Sequence, residues 1–114
     1  MLSNVPNLFF TGTYFHYAYT GRVDLTFTWV CRVLNLMKER GCQICLVKRD
    51  RNVPEVDPSL YPSSGYIQRG LAAGTYPKVP DFGTAWEGAS DPYIEGYSLR
   101  KGKLEDGVLH LSKL

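Results

Sequence analysis

The clearest hydrophobic pattern in the chain lies between Val23 and Val33, where apolar and polar residues alternate. An apolar side chain at every second position is typical of a half-buried β-strand. The residues on this face are Val23, Leu25, Phe27, Trp29, Cys31 and Val33. A helix is the alternative, because five apolar residues also recur at helical spacing and Gly41 could cap the helix; they are Trp29, Val30, Val33, Leu34 and Met37. Since the Thr and Val content disfavours a helix, the pattern predicts a strand that packs its apolar face into one core.

Two hairpins and a further strand complete the predicted sheet. Glycine allows a chain to reverse, so Thr20-Gly21-Arg22 predicts the turn of a first hairpin and Asp106-Gly107 predicts that of a second. The strands beside these turns are predicted at 8–19 and 23–33, and at 94–99 and 108–111, with a separate strand at 42–47. Residues 34–40 form either a short helical turn or a continuation of the preceding strand.

Prolines and glycines interrupt the second half of the chain. Pro54, Pro58 and Pro62 disfavour helix and central strand, and three further prolines follow at positions 77, 80 and 92. Between these groups, residues 66–73 predict one or two helical turns. The sequence therefore predicts one domain over residues 1–114, mainly β with α+β as the alternative. Its antiparallel hairpins would surround an aromatic core, and residues 48–93 would form a long, largely irregular, proline-rich excursion.

Composition and charge narrow the class of protein. Hydrophobic residues make up 44% of the 114 positions and aromatic residues 13%, which excludes a disordered chain. No window of about 20 uncharged apolar residues occurs, so no transmembrane segment is expected. The first residues lack the pattern of a signal peptide. Three cysteines are an odd number, which indicates a reducing, intracellular compartment.

Cys42 and Cys45 form the strongest chemical signal, since a CxxC pair can supply thiolates to zinc or to a redox couple. Cys31 and His16 are conceivable further ligands. The chain has no second pair at comparable spacing, and residues three apart on a strand point to opposite faces. We therefore expect buried structural cysteines and no metal.

No pattern of residues predicts a catalytic or cofactor site. His16 and His110 have no partner at a telling spacing, so structural or interface roles are expected for them. Glycines never form a phosphate-binding pattern such as GxGxxG, which excludes nucleotide binding by that route. Four carboxylates are expected to be solvated loop charges, because their spacing fits no calcium loop: Asp81, Glu87, Asp91 and Glu95.

Two surfaces are candidates for binding a partner. A small basic cluster with nearby tyrosines could contact nucleic acid, although the net charge is only +2; its residues are Arg40, Lys48, Arg49 and Arg51. The segment from Tyr61 to Tyr93 combines stiff extended backbone with aromatic residues, and such segments lie along a partner at low entropic cost. Its expected anchors are Tyr76, Trp86 and Tyr93.

Two short stretches resemble known families. Val33–Gly41 followed by Cys45–Asp50 resembles the helix-to-strand passage of Toll/interleukin-receptor domains. Thr26–Trp29 together with Asp106–Leu111 resembles jelly-roll strands of small viral capsid proteins. Each resemblance covers less than half of the chain, so neither assigns a family.

These observations favour a non-catalytic structural or accessory subunit that acts through contacts with other protein chains of an assembly. A small nucleic-acid-binding module that uses the basic cluster is the alternative. An enzyme is the third hypothesis, with a site assembled from scattered residues that leave no linear motif.

Overall fold

The structure of the chain is mainly helical. It is a computed structural model that describes residues 1–11, 19–48, 63–76 and 92–114. The elements in chain order are α1 (Tyr19–Arg40), β1 (Ile44–Val47), α2 (Gly65–Ala72), α3 (Pro92–Lys101) and β2 (Leu109–Ser112). The prediction of a mainly β fold is therefore wrong, as are the strands predicted at 23–33 and 94–99.

The long helix α1 forms because its apolar residues make one buried stripe. Leu25, Trp29, Val33 and Met37 are four residues apart, lie on one side of the helix and are all buried. Phe27, from the predicted strand face, is instead 59% exposed. Burial of the stripe outweighs the modest cost of Thr and Val in a helix. The Thr28 hydroxyl is also satisfied within the helix, since its Oγ1 donates to the Asp24 carbonyl at 3.0 Å.

Gly41 ends α1 in the way that the helical alternative required. Its φ of +63° is a left-handed conformation that glycine adopts without strain. The Gly41 N–H donates to the Lys38 carbonyl at 3.2 Å and the Cys42 N–H donates to the Met37 carbonyl at 2.9 Å. These two bonds form a Schellman motif, which satisfies carbonyls that the helix end would leave open. The helix turns directly into β1.

A two-stranded antiparallel sheet packs beside α1. β1 pairs with β2 in a register that sets Cys45 opposite Leu111 and Val47 opposite Leu109. The strands predicted at 42–47 and 108–111 are thus confirmed, but the partner of β2 is β1 instead of residues 94–99. The N-terminal segment occupies the other edge of β1. There the Asn7 N–H donates to the Cys45 carbonyl at 2.9 Å, and the Cys45 N–H donates to the Asn7 side-chain Oδ1 at 2.8 Å.

The hydrophobic core lies between α1, the sheet and α3. Its buried residues are Leu25, Trp29, Val33, Met37, Cys45, Val47, Leu99 and Leu109. Trp29 is the one aromatic member of this set, and it contacts the half-buried Phe9 with ring centroids 6.1 Å apart. The core of the described residues is therefore mostly aliphatic, which corrects the prediction of an aromatic core.

Most of the predicted irregular excursion lies outside the described residues, at 49–62 and 77–91. Within it, α2 confirms the helical turns predicted at 66–73. Although α1 has 22 residues, neither it nor another described helix is apolar enough to cross a membrane. That residues 1–114 form one domain stays a prediction.

Arg32 fastens α1 to the end of α3. Its guanidinium donates from Nη1 to the Leu99 carbonyl at 2.6 Å and from Nη2 to the Gly102 carbonyl at 2.5 Å. The last carbonyls of a helix have no partner within the helix, so this fork replaces the missing donors. An added Cβ at Gly102 would lie 2.5 Å from the Ser98 carbonyl oxygen, so this turn requires glycine.

Replacing Arg32 should destabilise the fold more than replacing an exposed arginine does. Arg32→Ala is expected to lower the free energy of unfolding by about 1.5–3 kcal/mol, because two charge-assisted hydrogen bonds are lost. Arg32→Lys should recover only part of that loss, since one ammonium lacks the planar fork. Urea unfolding measures both variants. Arg100→Ala is the control, because Arg100 and Asp24 are exposed and 3.8 Å apart. An equal effect of Arg32→Ala and Arg100→Ala would contradict the assigned role.

Candidate functional site

A buried ion pair joins the first turns of α1 and α3. Arg22 Nη2 lies 2.6 Å from Glu95 Oε1, and the two side chains are 19% and 6% exposed. Glu95 is the one buried charged residue that the described part of the chain contains. Charged groups are rarely buried to this extent without a structural or functional reason. The pair is therefore the candidate site.

The start of α3 places Glu95. Proline suits the first position of a helix, and Pro92 stands there. A carboxylate in the first turn, as at Glu95, is stabilised by the positive end of the helix dipole. Arg22 lies in the first turn of α1, where the same effect disfavours a cation, so the attraction of Glu95 has to offset it. At the contact between the two helices, Gly96 lies against Leu25, and an added Cβ would meet the Leu25 methyl carbons at ordinary contact distances of 3.7 and 3.8 Å.

The second carboxylate oxygen of Glu95 is the chemically open part of the site. Glu95 Oε2 is buried and accepts no hydrogen bond from any described residue. The contact from Arg22 to Oε1 is an ion pair that lacks the alignment of a hydrogen bond. An ionised carboxylate has only acceptor positions. Glu95 Oε2 can therefore accept a hydrogen bond from an N–H or O–H group near the N-terminal ends of α1 and α3.

Glu95 was predicted to be a solvated loop charge, and that prediction is wrong. The sequence carries a usable signal for its true setting. A helix start is indicated by Asp91-Pro92 with an acidic residue in the first turn, and a helix end by Arg100-Lys101-Gly102, whose glycine lies ten positions after Pro92. The partner of Glu95 has no such signal, because 73 positions separate Arg22 from it and only the packing of α1 on α3 brings them together.

The two cysteines of the CxxC pair lie in different surroundings. Cys45 is fully buried in β1, with its Sγ 3.6 Å from the Met1 sulfur, whereas the Cys42 Sγ lies 3.8 Å from the Arg40 carbonyl oxygen. Burial raises the pKa of the Cys45 thiol to about 11, which disfavours the thiolate that metal binding and redox exchange need. Among the described ranges, no three His, Cys, Asp or Glu side chains are grouped as metal ligands. Cys31 is exposed on α1.

The predicted nucleic-acid contact is only partly described. Arg40 pairs with Glu105 through two contacts, Nη1 to Oε1 at 2.5 Å and Nη2 to Oε2 at 2.7 Å, so both of its terminal nitrogens are engaged. Lys48 is exposed just after β1, and Arg49 and Arg51 lie outside the described residues. A contact of this cluster with nucleic acid stays a prediction.

The predicted partner anchors are spread over different parts of the chain. Tyr93 is 88% exposed on α3, and Tyr76 is half-buried against Gly70 on α2. Trp86 lies outside the described residues, as do His16, Asp81, Glu87 and Asp91. His110 is exposed on β2. That Tyr76, Trp86 and Tyr93 bind a partner chain stays a prediction.

Removing only Arg22 from the Arg22–Glu95 pair should lower the free energy of unfolding more than neutralising both residues. Arg22→Met leaves a buried carboxylate without its cation and is expected to lower the free energy of unfolding by about 3–5 kcal/mol. Adding Glu95→Gln removes the stranded charge, so the double variant should be more stable than Arg22→Met alone. Urea unfolding of the two single variants and the double variant completes a double-mutant cycle, which gives the interaction energy of the two side chains.

Arg40→Met is the matched control, because the Arg40 and Glu105 side chains are 50% and 54% exposed. Its expected cost is about 1 kcal/mol or less. Additive losses in the Arg22–Glu95 cycle would show that the two side chains are not coupled.

The sequence is similar to known proteins over nearly its whole length. The chain is 32% identical over 116 aligned residues to the FAD-containing monooxygenase EthA of Mycobacterium tuberculosis H37Rv, which covers 99% of this chain and 22% of that protein. It is 30% identical over 114 residues to the probable FAD-binding monooxygenase AlmA of Acinetobacter baylyi, again with 99% and 22% covered. An EthA of Mycolicibacterium smegmatis is 26% identical over 115 residues. No family model and no solved structure matches the chain.

These similarities overturn the prediction of a non-catalytic structural or accessory subunit. The matched proteins are named as monooxygenases, and the similarity extends over nearly all of the chain. The chain spans about a fifth of the length of these curated relatives. It is thus similar, almost from end to end, to one part of flavin-containing monooxygenases.

Proposed function

We propose that this chain is a part of a flavin-dependent monooxygenase, an enzyme that transfers one atom of dioxygen to its substrate and reduces the other to water. The observation that carries the proposal is the end-to-end similarity, 32% to EthA and 30% to AlmA over 99% of the chain. Similarity of this extent includes the helices, the sheet and the segments between them. It therefore favours a shared role in the enzyme over a short motif that recurs by chance.

The described residues do not by themselves make a site for FAD. The whole sequence has no GxGxxG pattern, by which a glycine-rich turn brings a diphosphate to a helix N-terminus. Arg22 is a cation at the start of α1, but its Nη2 is 2.6 Å from Glu95. In the proposed enzyme the flavin, which supplies the chemistry that activates dioxygen, would be held mainly by residues outside the described ranges.

What the described residues do provide is a rigid support. α1 is held to its neighbours at its start by the Arg22–Glu95 pair and in its middle by the core and by Arg32, and the Gly41 motif caps its C-terminal end. A helix packed in this way can position neighbouring segments. The proposed contribution of this chain is therefore to form and stiffen one part of the enzyme around α1.

The natural polypeptide that contains this sequence should purify with FAD. Visible flavin absorbance of the purified protein, followed by release and chromatography of the cofactor, measures the stoichiometry. Incorporation of one atom of isotopically labelled dioxygen into an oxidised product tests the reaction class. A polypeptide that neither retains nor takes up FAD and incorporates no label would contradict the proposal.

A matched pair of variants tests whether this part of the polypeptide belongs to the flavoprotein. Val33→Asp places a carboxylate at a fully buried position of α1 and should abolish FAD retention, because an unpaired buried charge disrupts the core. Asn35→Asp places the same group two positions along, at an exposed position, and should leave FAD retention unchanged. Unchanged FAD retention in Val33→Asp would separate this part from the flavin-binding fold.

A further inference from the structure

The side of α1 that faces away from the core exposes apolar residues among polar ones. Phe27 is 59% exposed and Leu34 is 49% exposed, and Cys31 between them is exposed as well. Their spacing of four and three residues places them on one face of the helix, which we call the outer α1 face. This face lies opposite the buried stripe that begins at Leu25. Packing within the described residues does not account for the apolar side chains on it.

A helix with apolar residues on opposite sides is typical of the interior of a larger protein. Surface helices are normally apolar on one side only, and neighbouring apolar side chains that are left in water mark a contact site. Of the exposed charged residues beside this face, Asp24 is acidic and Lys38 is basic, so the face carries no excess of cations for a phosphate backbone. No described helix has the apolar composition of a membrane span. Another protein surface is the covering that fits this chemistry.

We propose that the outer α1 face packs against a part of the same polypeptide that lies outside these 114 residues. The inference rests on the proposed function, because the occupant is argued from length. The chain spans 22% of the relatives, so in a protein of their size about four-fifths of the residues lie elsewhere and are available to cover this face. α1 is the longest described element and supplies half of the core residues from its inner side, so its outer side offers a long surface for that contact.

Thiol reactivity of Cys31 in the natural polypeptide tests whether the outer α1 face is covered. A maleimide should label Cys31 about tenfold or more slowly compared with an open thiol on the same helix, because labelling then requires local opening. The thiol introduced by Glu39→Cys is the benchmark, since Glu39 is exposed and lies off this face. Peptide mass spectrometry separates these two sites from Cys42 and Cys45. Equal labelling of Cys31 and the benchmark would overturn the proposal.

A photoreactive amino acid in place of Leu34 identifies the occupant. Cross-links to residues outside the 114 would support the proposal. Cross-links confined to this segment, or formed between two copies of the polypeptide, would overturn it. The flavin content of the same preparation keeps the two proposals apart. A covered face in a protein without FAD contradicts the proposed function only, whereas an open face in a protein with FAD contradicts only this inference.

Discussion

Burial of one stripe of α1 is the interaction on which the rest of the fold depends. Leu25, Trp29, Val33 and Met37 supply half of the core residues of the described chain, and both the sheet and α3 contribute their own buried residues to the same cluster. Burying such side chains stabilises a fold by roughly 1.5–3 kcal/mol each. Neither a two-stranded sheet nor a ten-residue helix is stable alone in water, so each depends on this stripe.

The polar contacts of the fold act at the ends of the elements that the stripe brings together. Arg32 supplies donors to the last turn of α3, and Arg22 meets Glu95 where α1 and α3 begin. Both arginines are on α1, so this helix provides the apolar contact and the charged contacts at once. The open oxygen of Glu95 is the place where this arrangement is incomplete within the described residues. A hydrogen-bond donor from outside the described residues could contact this oxygen.

The sequence predicted β1, β2 and α2 correctly but gave strands in place of α1 and α3, and for α1 the reason lies in the spacing of its apolar residues. Leu25, Trp29 and Val33 are four residues apart, so they satisfy an alternation of two as well as a helical repeat. Met37 and Gly41 continue the helical pattern only, and they carried the correct alternative. Local signals were enough for β1, β2 and α2. The pairing of Arg22 with Glu95 and the burial of Glu95 depend on packing between distant positions, which no local pattern contains. The proposed role in an enzyme left no motif in the sequence and rests on the similarity to one part of larger proteins.

If this chain is a working part of a flavoprotein, the stability of α1 should depend on the flavin. A ligand that binds only the folded state stabilises every amide that exchanges through unfolding of the same cooperative unit. Amide hydrogen exchange across α1 in the natural polypeptide, measured with FAD bound and after its removal, tests this linkage most directly. The account predicts faster exchange at the buried stripe, around Trp29 and Val33, once the flavin is removed. Identical exchange of α1 in the two states would contradict it.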